Sequence, residues 1–161
     1  MPTIILETKI NAPIERCFDL ARSIELHEDG ASKTKEKAIA GVTSGIIELG
    51  EKVTWKAKHF GIWQKLTVEI IEVEKPFRFT DEMKEGAFKA MKHTHSFEER
   101  NGMTIMTDKF VYKSPFSFLG LLIDWLFLEK YMTKFLLNKN VVFKSALESN
   151  VWQNYIKRIN Q

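Results

Sequence analysis

The sequence predicts an α+β fold with a first strand, two short helices, a meander of about six antiparallel strands and one long C-terminal helix. Apolar and polar residues alternate almost throughout from Glu51 to Lys113, which is the period of half-buried strands. Asn101-Gly102 lies inside this stretch and is a strong signal for a tight hairpin. From about Glu129, apolar residues recur at helical spacing, and about 20 residues of helix would span about 30 Å, enough to cross the sheet.

The elements before the meander are short. Residues 3–10 alternate as a strand, and Pro13 then stands in the first turn of a helix with Ile14 and Phe18 on its apolar side. We expect a second short helix around residues 23–28 and a further strand near residues 35–40. With the first strand, the predicted sheet has about seven strands.

The hairpins of the meander bring its apolar positions to one face. A short loop centred on Phe60-Gly61 puts two sets on the same side, namely Val53, Trp55, Ala57 and His59, and Ile62, Gln64, Leu66, Val68 and Ile70. A three-residue loop at residues 85–87 predicts that Asp81 lies opposite Met91, one step diagonal to His93. The turn around residues 72–76 is less clear, and its parity is compatible with a bulge.

The register of the last hairpin is the most specific prediction. A type I′ turn at Asn101-Gly102 pairs Arg100 with Met103, Phe97 with Met106, His95 with Asp108, His93 with Phe110 and Met91 with Tyr112. The alternation in both strands selects the same register, and a slip by one residue would expose both buried faces. His95 and Asp108 are therefore expected to be cross-strand neighbours.

Two histidines belong to the buried face of this hairpin. His93 and His95 leave the strand on the same side as Met91 and Phe97, whereas the intervening side chains are polar. A buried imidazole is costly without a partner, so this polar set suggests a lined cavity. The predicted ligand-binding set is Trp55, His59, Gln64, Asp81, His93, His95, Asp108 and Tyr112.

Composition limits the class of protein. A chain of 161 residues is one domain by length and can enclose a pocket. Its net charge of +3 is too small to indicate nucleic-acid binding. The single cysteine, Cys17, excludes an internal disulfide and is expected in the core. No apolar run is as long as the roughly 20 residues of a membrane span, and we expect a cytoplasmic protein.

The order of elements resembles the helix-grip superfamily, also called SRPBCC, which includes START lipid-transfer domains, birch-pollen-allergen-like proteins and polyketide cyclases. The motifs resemble a bacterial subfamily of ligand-binding SRPBCC domains; they are Val53-Thr54-Trp55, His59-Phe60-Gly61, Arg78-Phe79, Asp81-Glu82, His93-Thr94-His95 and Met106-Thr107-Asp108. The resemblance implies a curved sheet wrapped around the long helix, with an apolar cavity between them. It covers roughly residues 3–149. We expect residues 1–149 to form a helix-grip domain and residues 150–161 a C-terminal helical extension.

Three interpretations of the histidines stay open at this point. They can orient a ligand inside the cavity, or His95 and Asp108 can satisfy each other without touching a ligand. They can also share a metal with His59 or Asp81 as a third ligand. No Cys/His motif of fixed spacing supports the metal and His59 lies on a distant hairpin, so we expect neither a metal nor another cofactor. His93 has no assured partner and is the better candidate for meeting a ligand.

The favoured function is binding of a small, largely hydrophobic ligand of lipid, isoprenoid, polyketide or aromatic type. One alternative is an enzyme of cyclase, dehydratase or hydrolase type that uses the His95–Asp108 pair as general base. Another is a stress or regulatory protein that acts on a protein partner. A homodimer is a further expectation.

Three other features of the sequence carry expectations of their own. The apolar run Phe116–Leu128 is expected to form a lid over the cavity, with a membrane-surface role as the alternative. The stripe Trp152–Ile159 suggests packing on this domain or on a second subunit. His27, among acidic residues, is expected to be a solvated loop residue.

Overall fold

The structure, a computed structural model, describes residues 1–114 and 127–159. Its elements are β1 (Thr3–Ile10), α1 (Ile14–Ala21), α2 (Ile24–Gly30), β2 (Lys37–Gly41), β3 (Lys52–His59), β4 (Ile62–Glu74), β5 (Arg78–Glu85), β6 (Ala90–Arg100), β7 (Met103–Lys113), α3 (Glu129–Glu148) and α4 (Trp152–Ile159). A short 3₁₀ turn, Ser32–Thr34, separates α2 from β2.

The seven strands form one antiparallel sheet in the order β1-β7-β6-β5-β4-β3-β2. Strands β2 to β7 are therefore a meander, and β1 joins the sheet by pairing with β7. The two short helices follow β1, and α3 packs against α2 and β1. This is the predicted α+β helix-grip architecture, and its core lies between the sheet and the helices.

The β6–β7 hairpin has the predicted register. Arg100 pairs with Met103, His95 with Asp108 and His93 with Phe110. Asn101 and Gly102 both have positive φ, as a type I′ turn requires. The local turn and the alternation of two strands were sufficient to determine these pairs, because a slip would turn both apolar faces to solvent.

The predicted loop between β5 and β6 was wrong. Asp81 pairs directly with His93, and Phe79 pairs with His95, so the partner of Asp81 is two residues beyond the predicted Met91. The connection is longer because Phe88 packs against the rings of Phe110 and Tyr112. This correction brings the Asp81 carboxylate beside the two histidines.

The other two turns agree with expectation. His59 pairs with Ile62, so Phe60-Gly61 is a two-residue loop. The two strands that flank the turn near residues 72–76 pair with a register shift between Ile70 and Glu72, as the parity of the strands allowed. Because β3 and β4 are joined by a two-residue loop, Trp55 and Val68 share the buried face of the sheet.

The C-terminal stripe packs on its own domain. The hydroxyl of Tyr155 donates to Asp29 on α2 at 2.6 Å, and the guanidinium of Arg16 lies 3.9 Å from the ring centre of Trp152.

No helix in the described residues is long and apolar enough to cross a membrane. Most of the apolar run predicted as a lid, residues 116–126, lies outside the described residues.

Candidate functional site

A cavity of about 300 Å³ lies between the sheet and α3. Its walls are mostly apolar; those from the sheet include Val53, Trp55, Val68, Ile70, Phe79 and Phe110, and those from α3 include Met132, Phe135 and Leu136. The alternation of β3 to β7 turns one side chain in two towards this space. The volume is at the lower end of the range of about 300–1,000 Å³ that is usual for small-molecule sites.

Four residues of β5, β6 and β7 form a polar group at the cavity, which we call the histidine–aspartate cluster. Asp81, His93 and His95 line the cavity, and Asp108 lies behind them. Nδ1 of His95 donates to Oδ1 of Asp108 at 2.7 Å. Nε2 of His95 lies 3.7 Å from Oδ2 of Asp81. The ring of His95 is therefore held between two carboxylates, one behind it and one beside the cavity.

His93 is held less well. Its Nε2 lies 3.3 Å from Oδ1 of Asp108, yet the atom is buried and has no hydrogen bond of acceptable geometry within the described residues. The ring of His93 lies 3.9 Å from that of His95, centre to centre. Asp108 thus accepts firmly from one histidine and only approaches the other.

The cluster concentrates charge. Burial alone would lower the pKa of His95, but hydrogen bonds to Asp108 and Asp81 and their charges raise it to about 9. Burial and the neighbouring His95 lower the pKa of His93. The two histidines hold the pKa of Asp108 far below its usual range despite its burial. Near neutrality His95 is thus protonated, which does not suit the predicted general base.

The long helix completes this cluster from the other side of the core. Nδ2 of Asn140 donates to Oδ2 of Asp108 at 2.6 Å and to Oγ1 of Thr8 at 3.2 Å. Asp108 is only 2% exposed, so both of its oxygens are occupied inside the protein. It acts through the histidines rather than towards the cavity.

A second polar group in the cavity, the lysine cluster, comprises His27 on α2, Glu36 before β2 and Lys139 on α3. Oε1 of Glu36 lies 2.7 Å from Nε2 of His27 and 3.4 Å from Nζ of Lys139. Nζ of Lys139 lies 2.5 Å from Nε2 of His27. The expectation of a solvated His27 was wrong, because its ring stacks on Trp55 with the centres 4.1 Å apart.

Burial is the largest single influence on the pKa of each residue in the lysine cluster. It lowers the pKa of Lys139, against the attraction of Glu36. It also lowers the pKa of His27, and the charge of Lys139 adds to that effect. For Glu36, burial acts in the opposite direction, but Lys139 and His27 outweigh it and lower the pKa to about 2. A neutral imidazole therefore lies beside a lysine–glutamate ion pair whose carboxylate is buried.

His59 occupies another part of the cavity. Its Nδ1 is 2.7 Å from the hydroxyl of Tyr131 on α3, and the ring of Phe60 lies 4.4 Å from that of Tyr131. His59 is thus separate from both clusters in the described structure, consistent with its distant hairpin.

Six of the eight predicted ligand-binding residues line the cavity: Trp55, His59, Gln64, Asp81, His93 and His95. The other two, Asp108 and Tyr112, lie behind its wall, and Tyr112 is fully buried against Phe88 and Phe110. Sequence reasoning missed Glu36 and Lys139. The one available signal was that Lys139 interrupts the apolar positions of the long helix, which recur at helical spacing.

Comparison with solved structures identifies the same architecture. A protein of Thermus thermophilus superposes with a TM-score of 0.71 at 21% identity, covering 90% of this chain and 99% of that one. A major latex-like protein of Panax ginseng has a TM-score of 0.67 at 15% identity, covering 91% and 97%. A START superfamily protein of Mycobacterium smegmatis has a TM-score of 0.66 at 10% identity, covering 91% and 97%.

These similarities show that the chain has the helix-grip fold of START and major latex-like proteins. No protein-family model and no curated protein matches the sequence. At such identities the fold alone is shared, so the function has to be argued from the site.

Proposed function

We propose that this protein binds a small, largely hydrophobic molecule in the cavity between the sheet and α3. The observation that supports this most directly is a cavity of about 300 Å³ with apolar walls and a few convergent polar groups. The apolar body of the ligand would displace water from the walls around Trp55 and Phe79. The lysine and histidine–aspartate clusters would orient a polar group of the ligand.

The polarity of the clusters favours a ligand that accepts hydrogen bonds. Lys139 and the protonated His95 both line the cavity and are donors. A carbonyl, hydroxyl or carboxylate at one end of an apolar molecule would complement them. Lipid, isoprenoid, polyketide and aromatic compounds all offer such an end.

Native mass spectrometry of the full chain tests the proposal directly. Protein purified from its own host is expected to carry a non-covalent small molecule, and protein stripped of it should bind the hydrophobic fluorophore 1-anilinonaphthalene-8-sulfonate. Absence of both a bound species and fluorophore binding by the folded protein would overturn the proposal.

A cavity-filling variant locates the binding. Ala57 is 4% exposed and lines the cavity, so Ala57→Phe should fill part of it and weaken fluorophore binding. Ala40→Phe makes the same change at an exposed position of β2 and should leave binding unchanged. Equal binding by both variants, with unchanged thermal stability, would show that the fluorophore binds elsewhere.

Cellular location is a further part of the proposal. Cys17 is a buried free thiol, which is compatible with a reducing compartment. We therefore keep a cytoplasmic location as part of the proposal, with the small molecule as the partner.

A further inference from the structure

Three side chains of the cavity wall converge in a pattern that goes beyond orienting a hydrophobic ligand. Asp81, His93 and His95 each offer one ligand atom, and these atoms all lie within 4.8 Å of one another. We propose that these three residues bind a first-row divalent cation of the zinc type, with the remaining coordination position open to the cavity. Two imidazoles and one carboxylate are a donor set that Zn²⁺, Fe²⁺ and Co²⁺ accept.

The distances are close to those of a formed site. With metal–ligand bonds of about 2.0–2.1 Å, donors around a tetrahedral ion lie about 3.4 Å apart. Nε2 of His95 and Oδ2 of Asp81 are already 3.7 Å apart. The widest pair lies within 4.8 Å and must therefore approach by at most about 1.4 Å. The direct β5–β6 pairing of Asp81 with His93 makes this convergence possible.

The surroundings of His95 are those of a metal ligand. Its Nδ1 donates to Asp108 at 2.7 Å, which leaves Nε2 on the side of Asp81. A cation bound there would displace the proton of Nε2, since a ligating imidazole nitrogen is deprotonated. A carboxylate behind a ligating histidine fixes its orientation and increases its basicity. Asn140 in turn holds the other oxygen of Asp108 at 2.6 Å. The outer support of the site is therefore built from two further elements, β7 and α3.

Charge and hydrogen bonding give two more reasons. The cluster places two carboxylates, Asp81 and Asp108, close together, and a divalent cation that displaces the His95 proton would balance both charges. Nε2 of His93 is buried without a hydrogen bond among the described residues. A cation held between the three side chains would give the ring of His93 a partner.

This inference departs from the expectation of no metal. That expectation rested on the lack of a motif of fixed spacing and on the distance of His59, which indeed lies apart beside Tyr131. It did not anticipate Asp81 directly opposite His93.

The test uses the untagged full chain, because a polyhistidine tag would itself bind metal. After dialysis against EDTA, the protein is titrated with ZnCl₂ by calorimetry and with CoCl₂ by visible absorption. We expect one equivalent of each ion and a cobalt spectrum of low coordination number. Asp81→Asn and His93→Gln should each weaken binding by more than about 100-fold, beyond the ~10–100-fold typical of losing an outer-shell partner.

His59→Gln is the matched control, since it removes another cavity histidine that is not in the cluster. It should bind zinc as the parent does. Circular dichroism establishes that each variant is folded; if one of the two ligand variants does not fold, the other carries the comparison. Failure of the folded parent to bind either ion, or equal loss in His59→Gln, would overturn the metal site. Fluorophore binding by the metal-free protein tests the ligand cavity separately.

Discussion

Asn140 on the long helix donates to the buried carboxylate of Asp108 at 2.6 Å, and this contact joins α3 to β7, the second strand from the edge of the sheet. Asp108 is 2% exposed and also accepts from His95, so the orientation of the histidine depends on the position of the helix. A shift of α3 would alter the polar wall of the cavity as well as its volume.

Removal of this amide should cost stability. Asn140→Ala deprives a buried carboxylate of a charge-assisted hydrogen bond, and we expect a loss of about 1.5–3 kcal/mol in the free energy of unfolding, measured in urea. Asn138→Ala is the control on the same helix, because residues two apart do not share a face. It should change stability by less than about 0.5–1 kcal/mol. Similar losses in both variants would contradict the special role of Asn140.

The Glu36 carboxylate should make stability depend on pH in acid. Its pKa is about 2 in the folded protein and 4.5 in the ordinary state, so its contribution is fully present above about pH 4.5. It is lost as pH falls from there through about 2, because the unfolded chain takes up the proton first. The shift corresponds to about 3 kcal/mol at roughly 1.4 kcal/mol per pKa unit.

Unfolding free energies measured between pH 2 and pH 7 check this dependence. Glu36→Gln should be less stable than the parent at neutral pH and should lose less stability on acidification. Glu99→Gln, at an exposed position of β6, should follow the parent curve throughout. Parallel curves for the parent and Glu36→Gln would refute the assignment.

Lys139 and Glu36 should be strongly coupled. Lys139→Met leaves the buried carboxylate without its cation and is expected to cost about 3–5 kcal/mol. Glu36→Gln in the same chain removes the charge that was left unpaired, so the double variant should recover at least part of that loss. A double-mutant cycle in urea gives the coupling energy. Additive losses would show that the ion pair contributes little.

Replacement of Gly102 in the β6–β7 turn should reduce stability only through the strain of the backbone conformation. Gly102 has a φ of +75° and a Cβ there would meet nothing within 4 Å, so Gly102→Ala strains only the backbone. We expect a loss of about 1–2 kcal/mol. Gly30→Ala, where an added Cβ meets Lys139 at 3.5 Å in ordinary contact, should be neutral or slightly stabilising. Thermal unfolding of both variants decides the comparison.

Local patterns in the sequence were sufficient to predict most of the strands and their pairing. The alternation from β3 to β7 and the Asn101-Gly102 turn were enough to place His95 against Asp108, because strand period and turn type act over a few residues. The predicted length of the β5–β6 connection was wrong for a non-local reason. Phe88 packs against Phe110 and Tyr112, and loop length then follows the packing of a strand that comes later in the chain.

Short-range periodicity along the chain was sufficient for the order of elements, the inward face of the meander and the His95–Asp108 pair. The resemblance of that order to the helix-grip superfamily then indicated the fold. The folded arrangement was needed to bring Asp81 to the two histidines and to assemble His27, Glu36 and Lys139 in one cluster. Those last three residues come from α2, the segment before β2 and α3, and Lys139 is 103 positions from Glu36. Their meeting depends on how the long helix packs against the rest of the fold, which the burial of apolar surface by the whole chain decides.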